Sequence, residues 1–117
     1  MVKLKHFQVG DRLFTNRWVD PFIVEIIYKG FVVAVNRRST LYPVYLFIKT
    51  YSNEVYHGSS RFMKYGVSDG PTIKNFIDGV LKGNYFLDKD NCVPAELLLK
   101  KSCFETFETR EQIRVTK

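Results

Sequence analysis

Two short apolar runs joined by two residues constrain this chain more than any other feature. They are Phe22-Ile23-Val24-Glu25-Ile26-Ile27-Tyr28 and Phe31-Val32-Val33-Ala34-Val35, with Lys29-Gly30 between them. Runs rich in β-branched and aromatic residues, separated by a pair that includes Gly, predict a β-hairpin. Side chains alternate along a strand, so Phe22, Val24, Ile26 and Tyr28 are expected on one face and Ile23, Glu25 and Ile27 on the other. Both faces are almost wholly apolar, as in a sheet that curls on itself or is covered on both sides.

The rest of the chain supplies more strands and then helices. Phe7 to Phe14 reads as a strand cornered at Gly10-Asp11, where Gly tolerates positive φ and Asp can bond its own backbone. Residues 1–8 fit either a first strand or a short basic lead-in. Thr15 to Pro21 reads as an exposed loop, and Asn36 to Thr40 as another with Arg37-Arg38 at its tip. Pro43 stands where a sheet accepts proline, at a strand start. Val44, Leu46 and Ile48 then alternate with Tyr45, Phe47 and Lys49. Ser52-Asn53 turns the chain so that Glu54 to His57 can return alongside. Gly58 to Gly70 reads as a bridge.

Pro71 to Lys82 predicts a helix, with Ile73, Phe76, Ile77, Val80 and Leu81 on one stripe and Gly83 just past the end. That stripe needs the sheet as its partner, and the helix is expected to act as a plug closing the barrel. Asn84 to Val93 reads as a loop, Pro94 as the opening of a second short helix over Ala95 to Lys101, reaching toward Cys103. Gln112 to Thr116 alternates like a final strand. The expected architecture is α+β: a small antiparallel β-barrel of about five strands, one packed helix and a second short helix. A length of 117 residues suits a single domain spanning the chain.

Charge divides that domain into two parts. Residues 1–66 carry ten Lys/Arg against four Asp/Glu, whereas 67–117 carry eight of each, so the first part holds the whole net charge of +6. Thirteen of the eighteen aromatics lie in the first part as well. A polyanion should therefore meet the basic, aromatic-rich β-barrel part, not the neutral, helix-containing part. No apolar run approaches the ~20 residues of a membrane span. The basic start Met1 to His6 is not followed by the apolar core of ~7–15 residues that a signal peptide needs. A cytoplasmic protein with no membrane partner is expected.

Enzymatic motifs are weak. Ser59 and Ser60 lie near His57 but lack a Gly-x-Ser-x-Gly elbow. Asp20-Pro21 with Glu25 and Lys29 has a slight likeness to a restriction-type nuclease core. The acid and lysine are four apart instead of two, however, and the Asp-Pro order is reversed; a buried or cross-strand-paired Glu25 is the plainer expectation. Asp88, Asp90 and Asn91 break the EF-hand spacing, with Cys92 at the third ligand position and Val93 where Gly is needed. Cys92 and Cys103 form no metal-ligand pattern with His6 or His57, and read as free thiols or a disulfide pair. No catalytic residue, metal or cofactor is expected.

A nucleic-acid surface combines Lys/Arg for phosphates with aromatic faces for bases. The candidates are Arg12, Arg17, Trp18, Arg37, Arg38, Lys49, Tyr51, Arg61 and Lys64. Trp18 has two readings: a stacking side chain in a polar loop, or a lid folded back on the core. Arg37-Arg38 is equally a phosphate contact or a solvated hairpin tip.

The opening Phe7-Gln8-Val9-Gly10-Asp11-Arg12, the run Val24-Glu25-Ile26-Ile27 and the ending Glu54-Val55-Tyr56 resemble small SH3-like β-barrels of the Tudor, KOW and chromo-like kind. Tyr42-Pro43-Val44 is similar to a strand in short barrels of bacteriophage and mobile-element proteins. The likeness covers residues 7–65; the aromatic-cage spacing of methyl-lysine readers is absent. It implies a non-enzymatic barrel that binds nucleic acid, DNA or RNA. The alternative is a phage or mobile-element protein that binds and inhibits an acidic or nucleic-acid-binding host protein, such as a defence nuclease.

Overall fold

Lys29 and Gly30 both take positive φ, 46° and 84°, the backbone that a two-residue hairpin loop needs to match the twist of its strands. They join β2 (Phe22–Tyr28) to β3 (Phe31–Asn36). The computed structural model describes residues 4–37, 42–59, 65–67 and 69–104. Among these, β1 (Arg12–Leu13), β4 (Val44–Lys49), β5 (Glu54–Gly58) and β6 (Cys92–Pro94) complete one antiparallel sheet of six strands. Spatial order equals sequence order, a simple meander. The expected strand at 112–116 lies outside the described residues. β6 was expected as loop; three residues are too few to show an alternation. Leu4 to Gln8 is the lead-in and not a strand, though Phe7 is buried.

The β2–β3 pairing contains one extra residue. Val24 stands opposite Ala34 and Ile26 opposite Val33, which leaves Glu25 as a β-bulge. One added residue reverses every later side chain. Phe22 and Val24 therefore join one core layer, while Ile26 and Tyr28 join the other. This corrects the expectation that these four share a face, since strict alternation assumes an unbroken pleat. The Gly10-Asp11 corner locks onto the same place: Gly10 N donates to Val24 O at 2.8 Å, and Val24 N to Asp11 O at 2.9 Å.

The sheet curls. Thr15, just past β1, bridges Leu99, just past β6 and the single helical turn α2 (Ala95–Leu98). Asn16 N donates to Leu98 O and Lys100 N to Phe14 O, both at 2.8 Å. The two edges are thus tied together by the chain that follows β6. Inside the curl, Leu13, Phe22, Val24, Leu46, Ile48 and Val55 pack with Phe7, Leu98, Leu99 and Cys103. The expected longer second helix stops after one turn because Leu99 and Lys100 extend to make this bridge; a 3₁₀ turn follows at Lys101–Cys103.

The other face carries α1 (Gly70–Lys82). Asp69 caps it: its carboxylate accepts from Thr72 N, and the Thr72 hydroxyl accepts from Asp69 N, each at 3.1 Å. Gly83 at φ 84° ends it in the left-handed conformation that Gly tolerates best. Ile73, Phe76 and Ile77 bury against Phe31, Val33, Tyr45 and Phe47. The helix therefore packs on the sheet as its stripe requires, but on the outer face and not as the plug, because residues 95–103 already fill the inside. Covered on both sides, β3 and most of β4 are buried throughout.

Closure by the C-terminal segment sets a sharp contrast between neighbours. Leu98 is fully buried in the inner core, whereas Leu97 is 67% exposed. Leu98→Ala should cost about 2–5 kcal/mol and Leu97→Ala about 0.5 kcal/mol or less, read as urea midpoints at constant slope. Equal, small effects would mean that the segment does not close the core.

Candidate functional site

Antiparallel strands put their ends at two rims. At one rim lie the 14–21 loop, the end of β3 at Asn36–Arg37, the start of β4 and His57–Gly58 at the end of β5. At the other lie Lys29-Gly30, the Thr50–Asn53 turn and Pro94–Ala95. The rims are separated by the length of β4, about 17 Å at ~3.3 Å per residue. The sequence candidates divide accordingly. Arg17, Trp18 and Arg37 share the first rim; Lys49 and Tyr51 belong to the second. Arg12 is exposed on β1 opposite Ile23. Arg38, Arg61 and Lys64 lie outside the described residues.

The first rim holds a compact cluster. The loop that carries it is anchored at both ends: Thr15 Oγ1 accepts from Trp18 N at 3.1 Å, Asn16 Nδ2 donates to Leu97 O at 3.2 Å, and Asn36 Nδ2 donates to Asp20 O at 3.1 Å. Trp18 is partly buried against the inner core, edge-on to Phe22 with ring centroids 5.3 Å apart. Its other neighbour is the His57 ring, at 5.5 Å and 69°. Trp18 is thus a lid, and it also forms part of the rim surface. Arg17 is exposed, and its Nη1 lies 3.1 Å from His57 Nε2. A guanidinium can only donate, so Nε2 accepts and the ring proton sits on Nδ1. Burial, and then the adjacent Arg17 charge, lower the His57 pKa against a weaker opposing pull from Asp88. The imidazole is held neutral.

Three other candidates, Arg37, Lys49 and Tyr51, are engaged within the molecule. Arg37 forms a two-pronged ion pair with Glu25, the bulge residue, with Nη2 donating to Oε1 at 3.2 Å and Nη1 to Oε2. The hydrogen bond that Arg37 donates to Glu25 raises the Arg37 pKa. Cross-strand pairing of Glu25 is what its place in the sequence led one to expect. Lys49 lies over the Tyr56 ring at 5.2 Å, and Tyr51 meets Phe31 edge-on at 6.2 Å.

Two weaker sequence motifs turn out to be structural. The Asp88 carboxylate accepts from Asp90 N and from Asn91 Nδ2, capping a 3₁₀ turn. Cys92 and Cys103 are free thiols, and Cys103 Sγ faces Phe14 O at 3.6 Å. Among the described residues no group of three or more His, Cys, Asp or Glu is placed to hold a metal ion. None of their helices is long and apolar enough to cross a membrane.

His57 was missed as a partner of Arg17 because the two stand forty positions apart in sequence. The available signal was its alternation with Val55, which puts it on the inner face at the strand's end. Chemically, the rim presents a guanidinium with one of its five N–H donors on His57, a neutral imidazole and an indole edge. That set suits an anionic, partly aromatic ligand.

The lowered His57 pKa has a fixed sign in stability. Below about pH 6.5 the unfolded chain takes up a proton here more readily than the folded one. The contribution is present above that pH and is lost as pH falls through the lower folded value. His57→Gln keeps an acceptor for Arg17 without the titration, so its Tm should fall less than that of the wild type between about pH 7 and pH 5. Parallel falls in the two proteins would exclude this linkage.

No protein-family model matches this chain, and neither the curated proteins nor the solved structures yield a match, so the rim's own chemistry carries the functional reading.

Proposed function

We propose that this protein is a non-enzymatic nucleic-acid-binding module, its curled sheet used in the manner of an SH3-like barrel. Phosphates are contacted at the rim that bears Arg17, Trp18 and His57. The observation that carries this reading is the exposed Arg17 guanidinium, held by a neutral His57 beside an aromatic side chain on an anchored loop. A neutral partner orients the arginine without cancelling its charge, whereas Glu25 cancels much of the charge of Arg37. Arg17 is therefore the principal phosphate contact, and Arg37 a secondary one. The concentration of all net positive charge in residues 1–66 supports the same partner class.

A second reading is favoured by one feature of the same rim. Val19 is 98% exposed and Tyr42 54% exposed, beside the basic residues. Exposed apolar side chains within a basic rim also suit docking to an acidic or nucleic-acid-binding groove on another protein, as an inhibitor would.

Fluorescence anisotropy with single-stranded and duplex oligonucleotides over a range of salt separates the two. Affinity should fall log–log with salt, with a slope of about −0.7 per phosphate neutralised on a single strand and about −0.9 on a duplex. Arg17→Ala should weaken binding to all sequences alike and make the slope shallower by about one contact; Arg37→Ala should do less. Absence of binding at low salt, together with a stoichiometric protein complex that survives nuclease treatment, would select the second reading.

A further inference from the structure

A feature outside the rim goes further. On the outer face, Tyr65, Phe76 and Tyr85 meet one another with ring centroids 5.1–5.6 Å apart. With Thr72 and Asn75 they line a shallow pocket of about 180 Å³. Tyr85 is nearly parallel to Phe76, at 15°. Its ring lies where a side chain at position 79 would have to be: a Cβ added to Gly79 would stand 2.2 Å from Tyr85 Cδ2. A helix-weakening residue in the middle of α1 thus gives the ring its seat. Tyr65 and Tyr85 remain more than one-third exposed, and Phe86 beside them is 77% exposed.

We propose that this pocket is a stacking subsite for one base of a single-stranded nucleic acid. The proposal rests on the nucleic-acid reading and gives it a strand type and a second contact. Size decides against larger occupants, because cofactor and drug-sized ligands take about 300–1,000 Å³, leaving room here for a single ring system. The chemistry fits a base: the partly exposed Tyr65 and Tyr85 rings, backed by the buried Phe76, supply aromatic walls, and the Asn75 amide can both donate to and accept from a ring edge. Thr72 is already engaged in the cap of α1, so Asn75 is the side chain that reads the edge. The surroundings suit the phosphates on either side. Lys74, next to Asn75 on α1, lies over the Tyr28 ring at 5.6 Å and keeps its charge, while the acid of the next turn, Asp78, is taken by Lys29 and Tyr28. A protein partner's aromatic side chain would find the same walls but would not need the amide.

The test uses the full chain at low salt with a short oligothymidylate and an abasic strand of equal length. Wild type should bind the base-bearing strand about five- to 150-fold more tightly, the worth of one stacked base. Tyr85→Leu should remove that difference and leave affinity for the abasic strand unchanged. Asn75→Ala, at an exposed position that folding does not depend on, should reduce it, and the Asn75 side-chain amide signals should shift in NMR spectra only with the base-bearing strand. Equal binding of the two strands, with an intact salt slope, overturns the subsite and leaves the phosphate rim standing. A base preference that survives both variants overturns it too, by locating the stack elsewhere, as at Trp18. Failure of both strands to bind removes the underlying reading and the subsite with it. Movement of the Asn75 signals with an aromatic peptide but not with the oligothymidylate overturns the proposal in favour of a protein partner.

Discussion

Every side chain of β2 beyond Glu25 points where it does because that residue has no opposite number on β3. Without the bulge, Ile26 would turn inward behind Phe22 and Val24, and the outer layer would lose its contribution from this strand. Tyr28 would also turn. Its hydroxyl now donates to Asp78 on α1, at 3.0 Å to one carboxylate oxygen, and Lys29 donates to the same oxygen at 2.9 Å. A single unpaired residue thus lets one strand serve two cores and fastens the helix to the hairpin turn. The bulge also frees the Glu25 carboxylate to bind Arg37, so one backbone irregularity reaches into the electrostatics of the rim.

That last link changes how the net charge is understood. A charge of +6 suggests a broadly basic surface, yet the fold offsets several cations locally. Lys5 lies 4.0 Å from Asp11, Lys29 binds Asp78, and Arg37 binds Glu25. The last two pairs face solvent and are screened by it, so they matter less for stability than for the field outside. Arg17 differs in kind. Its partner is an uncharged imidazole, which fixes the direction of the guanidinium and leaves its charge intact. Protonation of His57 would set two like charges 3.1 Å apart and undo that arrangement.

The hairpin and α1 were legible because each announces itself within a dozen residues. Lys29-Gly30 lies between two β-branched runs, and Ile73, Phe76 and Ile77 recur at helical spacing between Pro71 and Gly83. Burial on both faces was expected of β2 from its apolar run, but Ile23 and Ile27 are exposed there, and it falls instead on β3 and most of β4, which lie between the two core layers. The bulge could not, since a buried or cross-strand-paired Glu25 is equally compatible with an unbroken pleat. β6 was too short to show a period. The Thr15–Leu99 bridge joins residues 84 positions apart, and no local pattern encodes such a contact. For the candidate site, residue types were legible and their grouping was not: Arg17 and Trp18 belong together, Lys49 and Tyr51 belong to the opposite rim, and His57 was known only as a residue near two serines.

The compositional boundary near residue 66 is therefore not a boundary in the sheet or in its inner core. The loop that presents Arg17 and Trp18 belongs to the basic part, but it is held by carbonyls of the neutral part: Asn16 N binds Leu98 O, and Asn16 Nδ2 binds Leu97 O. Thr15, whose hydroxyl fixes the turn at Trp18, is itself the residue that bridges Leu99. Closing the curl and shaping the rim are one set of hydrogen bonds. Loosening the Leu98–Lys100 segment should then disturb the position of Arg17 without touching it, and the rim is rigid to the extent that the inner core is closed.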